Sequence, residues 1–110
     1  MKTNKWDIWW ALVKFEDDPT KQKRRPVLVI SETEMYILSF KNTGHSARKD
    51  FAGEYEIKHW QESGLTKPST IRFEKRIRLK PEDVTETIGE LHPADRAVFQ
   101  YIMARILREL

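Results

Sequence analysis

The sequence predicts a mainly β protein with helices (α+β), built as a small curved sheet or barrel of antiparallel strands with an amphipathic C-terminal helix. Short apolar segments alternate with turn-forming residues through residues 7–79, which is typical of such sheets. Apolar residues then recur at three- and four-residue spacing from Val98 to Leu110, which is typical of a helix with one buried face. Because 110 residues suffice for one modest core, we expect a single domain over residues 1–110.

The first predicted strand is residues 7–15, which are rich in aromatic and β-branched residues. Their alternation is imperfect, so a helix stays open there. Residues 16–23 are polar, contain a proline and are predicted to form a loop. Pro26 is expected to open the second strand, because proline is not expected in the middle of a sheet. The further predicted strands are Val27–Ile30, Met35–Phe40, Glu54–Ile57, Ser69–Phe73 and Arg76–Leu79.

Two helical segments are predicted. Residues 59–64 form one or two turns that end at Gly64, because glycine at this position readily adopts the left-handed conformation. The C-terminal helix has Pro93 in its first turn and Asp95 near the positive end of the helix dipole. Its apolar stripe is best explained by packing against the core.

Positive charge is concentrated in the middle of the chain. Residues 21–80 contain 14 Lys and Arg against seven Asp and Glu, whereas the whole chain has 20 against 17. This distribution favours a polyanionic partner such as RNA, although a Lys-rich solvated surface would look the same.

Several functional classes find no support in the sequence. The chain has no cysteine, which excludes disulfides and thiolate metal sites. Its three histidines, at positions 45, 59 and 92, are scattered, and glycine-rich phosphate loops are absent, so we expect neither metal nor cofactor. No segment approaches the roughly 20 apolar residues of a membrane span. We therefore expect a cytoplasmic protein with no membrane partner.

The remaining chemistry is cationic and hydroxylic, and it suits RNA cleavage by the substrate's own 2′-hydroxyl. Arginine makes bidentate contacts with phosphate, and a threonine hydroxyl can donate to a phosphate oxygen. Such donors stabilise the charge that develops on phosphorus, and a histidine can transfer protons near neutral pH. The candidates in this set are Lys23, Arg24, Arg25, Lys41, Thr43, His45, Ser46 and Arg48. Arg72, Arg76 and Lys49 are candidates for phosphate contacts that position the strand.

The order of several short motifs indicates a family. An Asp-Ile-Trp strand start is followed by Arg-Pro and four apolar residues, and then by a strand leading to Thr43. The stretches Gly53–Trp60, Ser63–Leu65, Lys67–Arg72 and Ile88–Leu91 continue the pattern. With these motifs, the chain resembles the PemK/MazF toxins, the ribonuclease components of bacterial toxin–antitoxin modules, over almost its full length.

The resemblance implies an SH3-like barrel of the PemK type, a homodimer, and metal-independent endoribonuclease activity on single-stranded RNA. It also implies a cognate antitoxin whose extended tail lies along the active groove. By position, the catalytic arginine falls on Arg25 and the catalytic hydroxyl on Thr43. Secondary catalytic or RNA-binding candidates are Arg24, Lys41, His45, Ser46, Arg48 and Arg72. Members of the family commonly have Ser after this Thr, whereas this chain has Gly44.

Two alternatives remain open at this point. The chain could be a non-catalytic SH3-like module that binds nucleic acid or a peptide. It could also be a degenerate toxin that retains only antitoxin binding, and Gly44 is the residue that gives this alternative weight. Individual residues have simpler explanations as well, since Thr43 beside Asn and Gly suits a turn and Trp60 suits the core better than a base-stacking surface.

Overall fold

The computed structural model describes residues 3–15, 17–40 and 54–109 of the chain. These residues confirm the predicted mainly β, α+β fold, with six strands and one C-terminal helix. The elements are β1 (Asp7–Lys14), β2 (Gln22–Val29), β3 (Glu34–Phe40), β4 (Glu54–Glu56), β5 (Ser69–Arg78), β6 (Val84–Glu90) and α1 (Pro93–Glu109). One turn of 3-10 helix, Pro81–Asp83, connects β5 to β6.

All six strands belong to one antiparallel sheet with the order β4-β5-β3-β2-β1-β6. The chain builds β1, β2 and β3 as consecutive neighbours, and β5 then pairs with the free side of β3. After β5 the chain crosses to the other side of the sheet, where β6 pairs with β1 from Asp7↔Glu90 to Ala11↔Val84. This crossing brings the start of α1 close to the start of β1.

The two faces of the sheet carry two separate apolar clusters, because successive side chains of a strand point to opposite faces. One cluster includes Leu28, Leu38 and Ile71 and is covered by α1 through Phe99. The other includes Val27, Val29 and Ile37 on the opposite face. The buried position of Phe99 agrees with the core-packing role predicted for the apolar stripe of α1. No helix in the described ranges is long and apolar enough to cross a membrane.

The strands differ from the prediction in three respects. Strand β2 begins at Gln22, so Pro26 lies inside it and is paired with Trp10 of β1. This is tolerated because β3 pairs only with residues 27–29, so at Pro26 the strand has a neighbour on one side only. The two strands predicted over residues 69–79 are one strand, β5, with an irregular register. Strand β6 was not predicted, because most of its residues are polar and it contains a glycine.

A close backbone contact joins the turn after β4 to β6. Gly64 has a φ of +90°, which confirms its predicted role at the end of the helical turn. A Cβ atom on Gly64 would lie 2.4 Å from the carbonyl oxygen of Ile88, and one on Gly89 would lie 2.3 Å from that of Ser63. Only glycine at both positions permits this approach, which places the turn containing His59 beside the start of α1.

Candidate functional site

Four cationic side chains line one cavity of about 240 Å³ on the sheet face opposite α1. Arg25 comes from β2, and Arg72 and Lys75 come from β5. Val13 and Ile37 give the cavity an apolar floor, and Asp17 and Lys14 also line it. A cavity with this concentration of positive charge suits an anionic ligand.

The direction of Arg25 follows from the alternation of β2. Arg25 has the same parity as Val27 and Val29, so its half-buried side chain lies on their face of the sheet. Its neighbour Arg24 points to the other face, where its guanidinium lies 4.6 Å from the centroid of the Trp10 ring. Arg24 also pairs with Glu86 at 2.6 Å. The structure therefore brings Arg25, and not Arg24, to the cavity.

An irregularity in β5 explains why Arg72 and Lys75 line the same cavity. Tyr36 of β3 pairs with Arg76 and Leu38 pairs with Ile71, so four residues of β5, 72–75, lie opposite Ile37 alone. In a regular strand, residues three apart would point to opposite faces. The bulge turns both cations towards the cavity. Lys75 was missed at the sequence level, because residues 74–75 were taken to separate two strands.

Arg72 has an acidic neighbour on the adjacent strand. Its Nε lies 4.0 Å from Oε1 of Glu54, and both side chains are largely shielded from solvent. Glu54 pairs directly with Arg72 in the register of β4 and β5. The opposite charges attract each other at this distance, which favours the position of Arg72 beside the cavity.

The predicted catalytic threonine belongs to a segment that the structure does not describe. Lys41, Thr43, His45, Ser46 and Arg48 all lie outside the described residues. Of the eight site residues predicted from the sequence, the structure therefore places Arg24, Arg25 and Arg72, and it brings the last two together.

A sequence comparison identifies the family of the chain. Residues 4–108 match the family described as PemK-like, MazF-like toxin of type II toxin–antitoxin system. The chain belongs to this family. The match confirms the resemblance seen in the motifs, and membership of a type II toxin family implies an antitoxin partner. Among curated proteins, none matches the chain.

This PemK/MazF-family chain also has a second polar cluster, at the start of α1. The rings of His59 and His92 are stacked with their centroids 4.1 Å apart and their planes 21° apart. Asp95, which is buried, lies beside them, and each of the three residues offers a ligand atom within 4.8 Å of the others. The histidines are 33 positions apart in the chain, which is why their spacing in the sequence did not reveal the cluster.

The Asp95 carboxylate connects α1 to the segment after β4. Its Oδ1 accepts hydrogen bonds from the Tyr55 hydroxyl at 2.5 Å and from the backbone N–H of Lys58 at 3.0 Å. Its Oδ2 accepts from the backbone N–H of His59 at 3.0 Å. One side chain thus satisfies three donors of a single segment and connects the start of α1 to it.

These contacts predict an alkaline loss of stability that depends on Tyr55. Burial, and then the hydrogen bond to Asp95, raise the pKa of the Tyr55 phenol above its ordinary value of 10.0. Because the folded-state pKa is raised, the stability that the protonated Tyr55 phenol contributes is fully present below pH 10. This stability is lost as the pH rises above 10. We expect the free energy of unfolding of wild type to fall more steeply above about pH 10 than that of Tyr55→Phe.

Urea denaturation at a series of alkaline pH values measures this difference. Tyr101→Phe is the matched control, because Tyr101 is 64% exposed and should leave the wild-type slope unchanged. Parallel pH profiles for wild type and Tyr55→Phe would contradict the assigned hydrogen bond.

Proposed function

We propose that this chain is a metal-independent endoribonuclease, the toxin of a type II toxin–antitoxin system, and that it cleaves single-stranded RNA. The observation that carries the proposal is the convergence of Arg25, Arg72 and Lys75 on one cavity. A scissile phosphate and its neighbours in an RNA strand are the anions that such a set fits. Family membership supports the same activity.

In the proposed reaction, the 2′-hydroxyl oxygen attacks the adjacent phosphorus and the bond to the 5′-oxygen breaks. The 2′-proton is removed, negative charge develops on the non-bridging oxygens, and the leaving 5′-oxygen gains a proton. The products are a 2′,3′-cyclic phosphate and a 5′-hydroxyl. Arg25 contacts the scissile phosphate and takes part in charge stabilisation or proton transfer.

The remaining roles are assigned by chemical type. Thr43 donates a hydrogen bond to the phosphate, and His45 and Arg48 are secondary candidates for the same step. Arg72 and Lys75 contact neighbouring phosphates and position the strand. Lys41 and Ser46 are further RNA-binding candidates from the same segment as Thr43.

The proposal includes two protein partners. The cognate antitoxin is proposed to place an extended acidic tail along the cationic cavity, where it would compete with RNA.

The toxin itself is proposed to be a homodimer of one-domain chains. A second cavity, of about 520 Å³, supports a partner surface, since Val13, Ile77 and Leu79 give it apolar walls on the same side of the sheet. Light scattering during gel filtration tests the proposed homodimer, because a dimer has twice the mass of one chain.

Cleavage of a long single-stranded RNA in EDTA is the decisive test. We expect discrete fragments that end in cyclic phosphate or 3′-phosphate. RNA that stays intact with the purified chain would overturn the proposed activity and would favour a binding module or a degenerate toxin. Protein carrying Arg25→Ala, purified in parallel, controls for contaminating nucleases.

Thr43→Ala is expected to lower the cleavage rate by about 10²-fold or more, because it removes a hydroxyl donor to the developing charge. Thr43→Ser keeps the hydroxyl and should restore most of the rate. Single-turnover cleavage of a fluorescent RNA measures both. If Thr43→Ala cleaves at the wild-type rate, Thr43 has no part in the chemistry.

Arg72→Ala is expected to weaken RNA binding with a smaller effect on the chemical step. Loss of one phosphate contact should raise KM, lower the slope of log affinity against log salt by about one, and change kcat by only a few fold. Steady-state kinetics at several salt concentrations separate these effects. A fall in kcat at unchanged KM would instead place Arg72 in the reaction itself.

A further inference from the structure

We propose that His59, His92 and Asp95 form a binding site for a divalent transition-metal ion of the Zn²⁺ or Ni²⁺ class. One ligand atom from each residue lies within 4.8 Å of the other two. None of the three lines the cationic cavity, so the site is separate from the proposed ribonuclease centre and does not depend on it.

The donor set indicates the class of ion. Two imidazole nitrogens and one carboxylate oxygen suit Zn²⁺, Ni²⁺, Co²⁺ and Cu²⁺. Mg²⁺ and Ca²⁺ prefer an all-oxygen set, which this cluster does not supply. Three protein ligands leave further coordination positions for water, as in exchangeable sites.

The environment of Asp95 favours a cation. The side chain is 1% exposed, and a buried carboxylate is costly without a compensating positive charge. Among the described residues, no Lys or Arg forms an ion pair with it, and Arg96 is directed to Glu90 and to the carbonyl oxygen of Leu91. Oδ1 accepts two hydrogen bonds and Oδ2 only one, so Oδ2 keeps a lone pair for an ion.

The present hydrogen bond of His59 favours metal binding, whereas that of His92 must be exchanged for it. Nδ1 of His59 lies 3.2 Å from Oε2 of Glu62, and a carboxylate that accepts from one ring nitrogen orients the other towards a metal. Nδ1 of His92 accepts a hydrogen bond from the N–H of Ala94 at 3.1 Å. Coordination through Nε2 of His92 moves the ring proton to Nδ1, so this capping bond is exchanged for the metal bond.

The chain offers an unusually clean test, because it contains three histidines and no cysteine. Isothermal titration of the untagged full chain with ZnCl₂ and NiCl₂ should show one ion bound per chain. His59→Asn and His92→Asn should each weaken binding at least tenfold. His45→Asn is the matched control, since it removes the remaining histidine and should leave the affinity within twofold.

Absorption spectroscopy with Co²⁺ gives a second measurement that does not depend on the variants. Visible d–d bands of a nitrogen- and oxygen-ligated ion should appear in wild type and saturate at one equivalent. Far-UV circular dichroism of each variant confirms that binding is lost without unfolding. RNA cleavage in EDTA should remain at the metal-loaded rate, so failure of this site and failure of the ribonuclease proposal are distinguishable.

Two results would overturn the proposal. One is the absence of stoichiometric binding and of Co²⁺ bands in wild type, which would leave the imidazoles as a stacked pair that caps α1. The other is an equal loss of affinity in His45→Asn, which would place the ion elsewhere on the chain.

Discussion

Arg25→Ala is expected to lower the rate of RNA cleavage by about 10²–10³-fold while leaving the fold intact. The guanidinium comes from a half-buried position in β2 and faces a cavity shared with three other cations. In other enzymes, removing one preorganised hydrogen-bond donor that contacts a developing oxyanion lowers the rate by a similar factor. Single-turnover cleavage measures the rate, and thermal unfolding confirms that the variant is folded.

Arg24→Ala provides the matched control for this variant. It removes the same charge from the adjacent position, but its guanidinium lies on the other sheet face against Trp10 and Glu86. We expect its cleavage rate to stay within a few fold of wild type. Equal losses in the two variants would show that only the net charge matters, and would remove the specific role of Arg25.

Arg25→Lys separates charge from geometry. Lysine keeps the positive charge but loses the planar, bidentate arrangement of donors. If Arg25 stabilises the phosphate through paired hydrogen bonds, the lysine variant should recover RNA binding but only a small part of the rate. Full recovery of the rate would indicate that a point charge is sufficient.

Asp95→Ala is expected to lower the free energy of unfolding by about 3–5 kcal/mol. The alanine leaves the hydroxyl of Tyr55 and the backbone N–H groups of Lys58 and His59 without their acceptor. Each unsatisfied buried donor costs about 1–3 kcal/mol. Urea denaturation gives the free energy directly, and we expect the Tm to fall by about 10–20 °C for a domain of this size.

Two further variants test the physical reason for this loss. Asp95→Asn keeps one carbonyl acceptor and should be intermediate in stability. Glu62→Ala removes a half-exposed carboxylate from the same neighbourhood and should change the stability by less than about 1 kcal/mol. A loss below about 1 kcal/mol in Asp95→Ala would show that water replaces the carboxylate at little cost.

Features determined by neighbouring residues were predicted well from the sequence. The apolar run of β1, the stop at Gly64 and the start of α1 at Pro93 all appear as expected. Features determined by pairing across the sheet were not predicted from the sequence. Pro26 is accommodated within a strand because β3 does not pair beside it, and β6 forms because β1 offers it a partner along the chain from Asp7 to Ala11.

The same distinction applies to the polar sites. Arg25 was identified because the Arg-Pro motif of the family falls on it, and the alternation of β2 then determines its direction. Lys75 reaches the cavity only because of an irregularity in the pairing of β5 with β3. His59 and His92 meet because the turn after β4 packs against β6 through two glycines. No local pattern in the sequence reports either arrangement.

The bulge in β5 places on one side of the sheet two basic residues whose spacing in the chain would otherwise separate them. Four residues opposite one allow Arg72 and Lys75 to share a face. Deleting a single residue from positions 73–74 would leave the two cations two positions apart, and strand alternation alone would then place them on one face without a bulge. The extra residue therefore determines which side of the sheet a charge occupies, independently of how many basic residues β5 contains.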